Sequence, residues 1–226
     1  MAVIEKTDAL TQTQVLMLST LARLRFATAE QLMQWCPLGA MSSVRRCAQR
    51  LASAGLIEIN TELKPFVYRL SRKGCRAMGQ RYFRTWHSFS AMQQVLLRNQ
   101  VEIQLLNEDD KSASIDRAQL APLGLHPAHS EYAFVMPNRS SLFQLVVIDD
   151  YLMQSNRILH KWQRPHLKTS TTATSTTLKR WCDVCDGYRI YTITELQAIQ
   201  HRAFLAQAGI PNASVTLIEP VWGVSQ

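Results

Sequence analysis

A chain of 226 residues with 46% hydrophobic content can bury one large core or two modest ones, which excludes an intrinsically disordered protein. It contains no run of about 18 apolar residues and opens on no leader-like segment, so a membrane span is not expected and a cytoplasmic location is. The net charge of +8 is uneven: residues 1–100 hold 14 Lys/Arg against 5 Asp/Glu, residues 101–226 hold 11 against 12, and so concentrated a cationic field points to nucleic acid as partner.

Taken in chain order, the first element is a helix over Thr11 to Arg25, opened by Thr11 and Gln14 at capping-box spacing and carrying Val15, Leu16, Leu18, Leu21, Ala22 and Leu24. A second helix, Thr28 to Trp35, opens on Thr28 and Gln31 at the same spacing and ends before Pro37. The third starts at Ser42 or Ser43. Val44, Cys47, Ala48 and Leu51 recur at i, i+3, i+4, i+7, the spacing of a core stripe. Arg45, Arg46, Gln49 and Arg50 share the opposite face, where long polar side chains can reach phosphates and guanine edges. Gly55 follows the last periodic residue, the place of a left-handed C-terminal cap.

Leu56–Asn60 and Pro65–Leu70 read as two short strands joined by a turn over Thr61 to Pro65. Ser71-Arg-Lys-Gly-Cys-Arg76 is a basic entry into another helix. Helix, helix, arginine-loaded helix and hairpin is the order of a winged helix-turn-helix, with the third helix as reader and the hairpin as wing. The residues expected to touch DNA are Ser43, Arg45, Arg46, Gln49 and Arg50 on the reader, with Lys64 and Arg69 on the wing. Arg72, Lys73 and Arg76 follow the wing, and Arg81 and Arg84 lie in the joint beyond it. There, Arg81-Tyr-Phe-Arg-Thr-Trp-His87 interleaves cations with aromatics, a pattern suited to a phosphate backbone or to stacking on bases, and equally to a half-buried joint.

Ser88 to Leu106 reads as a long helix with Met92, Val95, Leu96, Val101 and Leu105 apolar, and the acidic, serine-containing Asn107–Asp116 as a turn. Strands follow at Tyr132–Met136 and Leu142–Ile148, the latter a near-continuous apolar run as at the centre of a sheet. Asp149 and Asp150 stand at its end. A short helix covers Ser155–Trp162, a Ser/Thr-rich loop Thr169–Thr177, a strand Tyr188–Thr194, a helix Glu195–Gly209 and a last strand Ser214–Ile218. The fold class is therefore α+β: a winged-helix domain over residues 8–80, a basic and aromatic joint with a linking helix over 81–106, and a small mixed α/β domain of about four strands over 107–226.

Three constellations in the second part bear on chemistry. Glu131 at the start of one strand and Asp149 at the end of the next can bring two carboxylates to a Mg²⁺ ion, with Lys161 and Lys168 as the available lysines. Cys182-Asp-Val-Cys185 is half of a zinc site, which His160, His166 or His201 would have to complete; the five cysteines otherwise read as reduced thiols. His87, His126, His129, His160, His166 and His201 form no HxH motif for tyrosine-dependent nicking, and no glycine-rich phosphate loop is present.

The layout from Thr11 to Ile218 resembles the replication-relaxation proteins, among them the MobC-type relaxases of mobilisable plasmids, whose catalytic half is similar to restriction endonucleases. The resemblance implies a Pro-Asp pair before the first core strand, where this chain has Ser130-Glu131, and an acid-apolar-Asp triplet on the central strand, where it has Val147-Ile148-Asp149. A valine cannot coordinate Mg²⁺, so the resemblance implies a degenerate nuclease-like domain. Three functions remain in view. The first is a sequence-specific double-stranded-DNA-binding protein of a mobile element, acting in transfer initiation or its transcriptional control. The second is a Mg²⁺-dependent relaxase or nicking endonuclease using Glu131 and Asp149 as catalytic and metal-binding residues. In the third, the α/β part is a module for homodimerisation or for other transfer proteins.

Overall fold

The computed structural model describes residues 10–36, 38–84, 86–115, 117–125, 127, 131–137, 140–149, 155–163, 180–210 and 212–222. Pro37, His126, His129, Ser130, Asp150, His166, Lys168 and the Thr169–Thr177 segment lie outside the described residues. The fold is α+β and divides into two compact units, one of Met1–Ile103 with Pro220–Gln226 and one of Gln104–Glu219. Among the described residues no helix is long and apolar enough to cross a membrane.

In the first unit, α1 (Gln12–Leu24) and α2 (Ala29–Trp35) each begin with a complete capping box, Thr11 with Gln14 and Thr28 with Gln31. The third helix, α3 (Met41–Ser53), starts earlier than the serines suggest: Ala40 is its N-cap and makes no side-chain bond, so Ser42 and Ser43 stand exposed in the first turn. The core stripe is as the spacing dictates. Val44, Cys47, Ala48 and Leu51 are buried against Leu18, Leu21 and Leu32. Gly55 takes φ +70°, and the Leu56 N–H returns to the Leu51 carbonyl, turning the chain into β2 (Ile57–Asn60).

β2 pairs antiparallel with β3 (Val67–Leu70), and β3 also pairs with a two-residue strand, β1 (Ala27–Thr28), that the sequence reading did not contain. Ser71 caps α4 (Arg72–Ala77), where Gly74 presses so closely on the Leu56 carbonyl that no Cβ would fit. The long helix α5 (Phe89–Glu108) is not a separate joint. Met92 and Leu96 pack in one cluster with Phe26, Val67 and the C-terminal Trp222, and Asn99 Nδ2 donates to the Phe26 carbonyl at 2.6 Å. Residues 220–222 therefore leave the α/β part to which their position in sequence assigned them.

The second unit is a five-stranded sheet in the order β4-β5-β6-β7-β8, formed by β4 (Ala113–Ile115), β5 (Glu131–Met136), β6 (Ser140–Asp149), β7 (Cys185–Thr192) and β8 (Ala213–Leu217). The first three strands run antiparallel to their neighbours, and β6, β7 and β8 run parallel. The apolar strand is central, as its composition requires. The edge strand β4 lies where a turn was expected, and β7 begins three residues earlier than its apolar pattern suggests. Between strands come α6 (Arg117–Leu120), a short 3₁₀ turn over Ala121–Leu123, α7 (Ser155–Gln163) and α8 (Glu195–Ala208). Leu145, Val147, Tyr188 and Ile190 on one sheet face form a core with Trp162 of α7 and Leu205 of α8.

Candidate nucleic-acid interface and buried acid cluster

Because the four apolar positions of α3 face inward, Arg45, Arg46, Gln49 and Arg50 all stand exposed on its outer face with Ser42 and Ser43. Among the described residues no carboxylate pairs with Arg45, Arg46 or Arg50, so three guanidinium groups keep their donors for an external acceptor. Beside this face lies a groove of about 460 Å³. Arg45, Gln49 and Glu30, Lys64 and Phe66 of the β2–β3 turn, and Ile59 and Tyr68 of the strands are among the residues that line it. Lys64 is exposed, and so is the Phe66 ring at 41%. Burial raises the Tyr68 phenol above its ordinary value, so it stays a neutral hydroxyl under the positive charge of Arg45.

Two expected DNA contacts change character. Arg69 is a correction: it is only 5% exposed, its Nε and Nη2 bond Glu58 Oε2 at 2.8 and 2.6 Å, and its guanidinium lies 4.1 Å from the Trp86 ring centroid. The reason is register. Glu58 stands directly opposite Arg69 on the antiparallel pair, and opposite charges there meet each other before they meet solvent. Tyr82 completes the group by donating its hydroxyl to Glu58 Oε1 at 3.0 Å, a bond that, ahead of burial, pushes the phenol upward. Lys73, exposed, also donates Nζ to the Ala54 carbonyl at 3.1 Å, which caps the C-terminal end of α3. Arg72, Arg76 and Arg84 are exposed, while Arg81 lies 5.5 Å over the Phe83 ring and lines a different cavity.

In the second unit, Glu131 and Asp149 both belong to the sheet face covered by α7 and α8, and both are buried, at 2% and 1%. Glu131 pairs in register with Val147, which places Asp149 on the diagonal of the same sheet face. Each is engaged by its own helix. Lys161 Nζ of α7 lies 3.5 Å from Glu131 Oε1. Asp149 Oδ2 takes His201 Nε2 at 2.7 Å and Gln197 Nε2 at 3.0 Å, both from α8, and Gln197 Oε1 in turn accepts from Thr192 and Thr194. Burial and then the charges of Glu131 and Asp149 drive the Tyr188 phenol far upward, so the two acids flank a hydroxyl that stays protonated.

Among the described residues no three His, Cys, Asp or Glu side chains gather as metal ligands, and the two carboxylates already face a lysine, a histidine and an amide, which argues against a Mg²⁺ cage here. The CxxC gathers no further ligand among the described residues, and His201 is engaged by Asp149. Sequence reasoning named Asp149 but missed Gln197 and Thr192 as its supports. Their signal was legible: Gln197, His201 and Leu205 recur at i, i+4, i+8 on the buried stripe of α8, where a glutamine and a histidine need polar partners.

Comparison with family models, with curated proteins and with solved structures finds no match to this chain.

Proposed function

We infer that this protein is a sequence-specific double-stranded-DNA-binding protein, with a winged helix-turn-helix in its first unit and α3 as the reading helix. The observation that carries the reading is the open face of α3: three arginines and a glutamine that meet no acid partner among the described residues, bordering a groove also lined by Lys64 and Phe66 of the hairpin. A helix of that width fits the major groove, and the hairpin then rests on the flanking backbone. Arg45, Arg46, Gln49 and Arg50, with Ser43 at the helix start, address base edges; Lys64, Arg72 and Arg76 address phosphates. The net charge of the first 100 residues supports the same partner.

The second unit we read as a restriction-endonuclease-like core whose acids have become structural, because Glu131 and Asp149 are locked by Lys161, His201 and Gln197. Its near-neutral charge suits contacts with a second copy or with other transfer proteins. The resemblance of the sequence layout to replication-relaxation proteins supports a cytoplasmic role at the initiation of transfer of a mobile element or in the control of its genes.

Selection of a preferred duplex from a randomised pool, followed by affinity measurements on that duplex and on random DNA, tests the reading. Arg46→Ala should lose about 1–3 kcal/mol of discrimination between the two, whereas Lys64→Ala should weaken both alike. No enrichment of any duplex, or equal small effects of both substitutions everywhere, would defeat it. Nicking of a supercoiled plasmid that depends on Asp149 would instead establish the relaxase reading.

A further inference from the structure

The first unit holds a second cavity, of about 320 Å³, that shares no residue with the groove beside α3. It lies at the end of α1. Leu21, Leu70 and Cys75 are among its apolar lining residues, and Arg25, Arg81 and His87 line it as well. Its volume is at the small end of the range of ligand pockets, about 300–1,000 Å³.

Two independent features mark it as more than a packing gap. First, Arg25 has φ 68° and ψ −55°, and the Phe26 N–H donates to the Leu24 carbonyl at 2.9 Å. This is a γ-turn of the strained hand, which a glycine or a different loop would avoid. Strain at a non-glycine residue persists only where its surroundings hold it and clusters at functional sites, and here the strained residue lines the cavity. Second, the cavity carries positive charge without an answering acid. Of its three arginines Arg69 is neutralised by Glu58, while among the described residues no carboxylate pairs with Arg25 or Arg81.

The wall is aromatic and already braced. His87 meets the Phe26 and Phe83 rings edge-on, at centroid distances of 5.1 and 5.3 Å, and Arg81 lies over Phe83. Aromatic and apolar residues in the lining suit a flat, weakly hydrated body, and two guanidinium groups that meet no carboxylate among the described residues suit a negative group on its edge.

We propose that this cavity is a binding site for a small aromatic anion, an aromatic ring carrying a carboxylate or phosphate, with Arg25 and Arg81 as the anion-binding residues. An aromatic carboxylate and a mononucleotide share that chemistry, and the probes separate them. Thermal unfolding and calorimetric titration of the full chain would use benzoate against its uncharged counterpart benzamide, AMP against adenosine, and acetate as an anion without a ring. Benzoate or AMP should bind saturably and raise the unfolding midpoint by about 5 °C at a hundredfold excess over Kd, and whichever does so names the source. Benzamide, adenosine and acetate should not. Arg25→Gln with Arg81→Gln should weaken the successful probe at least about tenfold. Arg25→Gly removes the cation while relieving the turn, so it should lose the ligand yet keep or raise the unliganded midpoint, which separates lost binding from lost fold. Absence of any saturable binding, equal effects of the charged and uncharged probes, or full affinity in the Arg25→Gln, Arg81→Gln protein would overturn the proposal.

Discussion

Arg46 and Arg69 show how far surroundings decide what one residue type does. Arg46 projects from a helix face and pairs with no carboxylate among the described residues; Arg69, on β3, meets Glu58 across the strand pair and stacks on Trp86. An arginine only 5% exposed and held by Glu58 cannot also grip a phosphate, and its removal strands Glu58 and the Tyr82 hydroxyl. Arg69→Ala should therefore cost about 2–3 kcal/mol of stability, less than a fully buried pair because the Glu58 side chain keeps a third of its surface in water. Denaturant unfolding measures it, and the folded variant should bind duplex DNA as tightly as the parent. Weakened DNA binding at unchanged stability would return Arg69 to the interface. The pairing was within reach of the sequence, since a turn of known length fixes which residues face each other, but the charge of Arg69 was weighed without its cross-strand neighbour. Asp149 was harder. Its position at a strand end was legible, yet the residues that hold it lie 48 and 52 positions further along the chain, and only the packing of α8 on the sheet brings them together.

At the scale of elements, the chain announces its structure where local chemistry is strong. The capping boxes of α1 and α2, the amphipathic stripe of α3 and the apolar run of β6 are each set by neighbours in sequence, and each is found where expected. The misses share a cause. The strands β1 and β4 are two and three residues long and owe their existence to a partner, Val67 and Tyr68 for one and Ala133 to Val135 for the other, not to their own β-propensity. The start of α3 misled because a serine is a good cap, whereas here the backbone of Ala40 suffices. Gln31 connects the local with the distant: it closes the capping box with Thr28 and donates Nε2 to the Leu96 carbonyl of α5 at 2.7 Å. Gln31→Ala should lose both, about 1–3 kcal/mol by thermal or denaturant unfolding. A change below about 0.5 kcal/mol would mean that α2 and α5 are held by apolar contacts alone.

At the scale of the molecule, charge and fold are partitioned in parallel. The unit that carries the exposed arginines of α3 holds the excess positive charge, and the α/β unit, close to neutral, buries Glu131 and Asp149 against lysine, histidine and amide partners. The division itself was only partly readable. Most of α5 and the Val221–Trp222 segment belong with the first unit, because Leu96 and Trp222 fill the core left open between Phe26 and Val67, and no composition shift marks that return of the chain. The central claim is that the α3 face and the hairpin form one cationic surface for duplex DNA. It is tested most directly by the salt dependence of duplex binding, measured by fluorescence anisotropy for the parent and for an Arg45→Gln, Arg46→Gln, Arg50→Gln protein of unchanged thermal midpoint. The account predicts that log K falls linearly with log salt with a slope of about −4 to −6 for the parent, and that the triple variant loses at least about two units of slope with most of its affinity. Binding that ignores salt, or a triple variant that binds as the parent does, would contradict it.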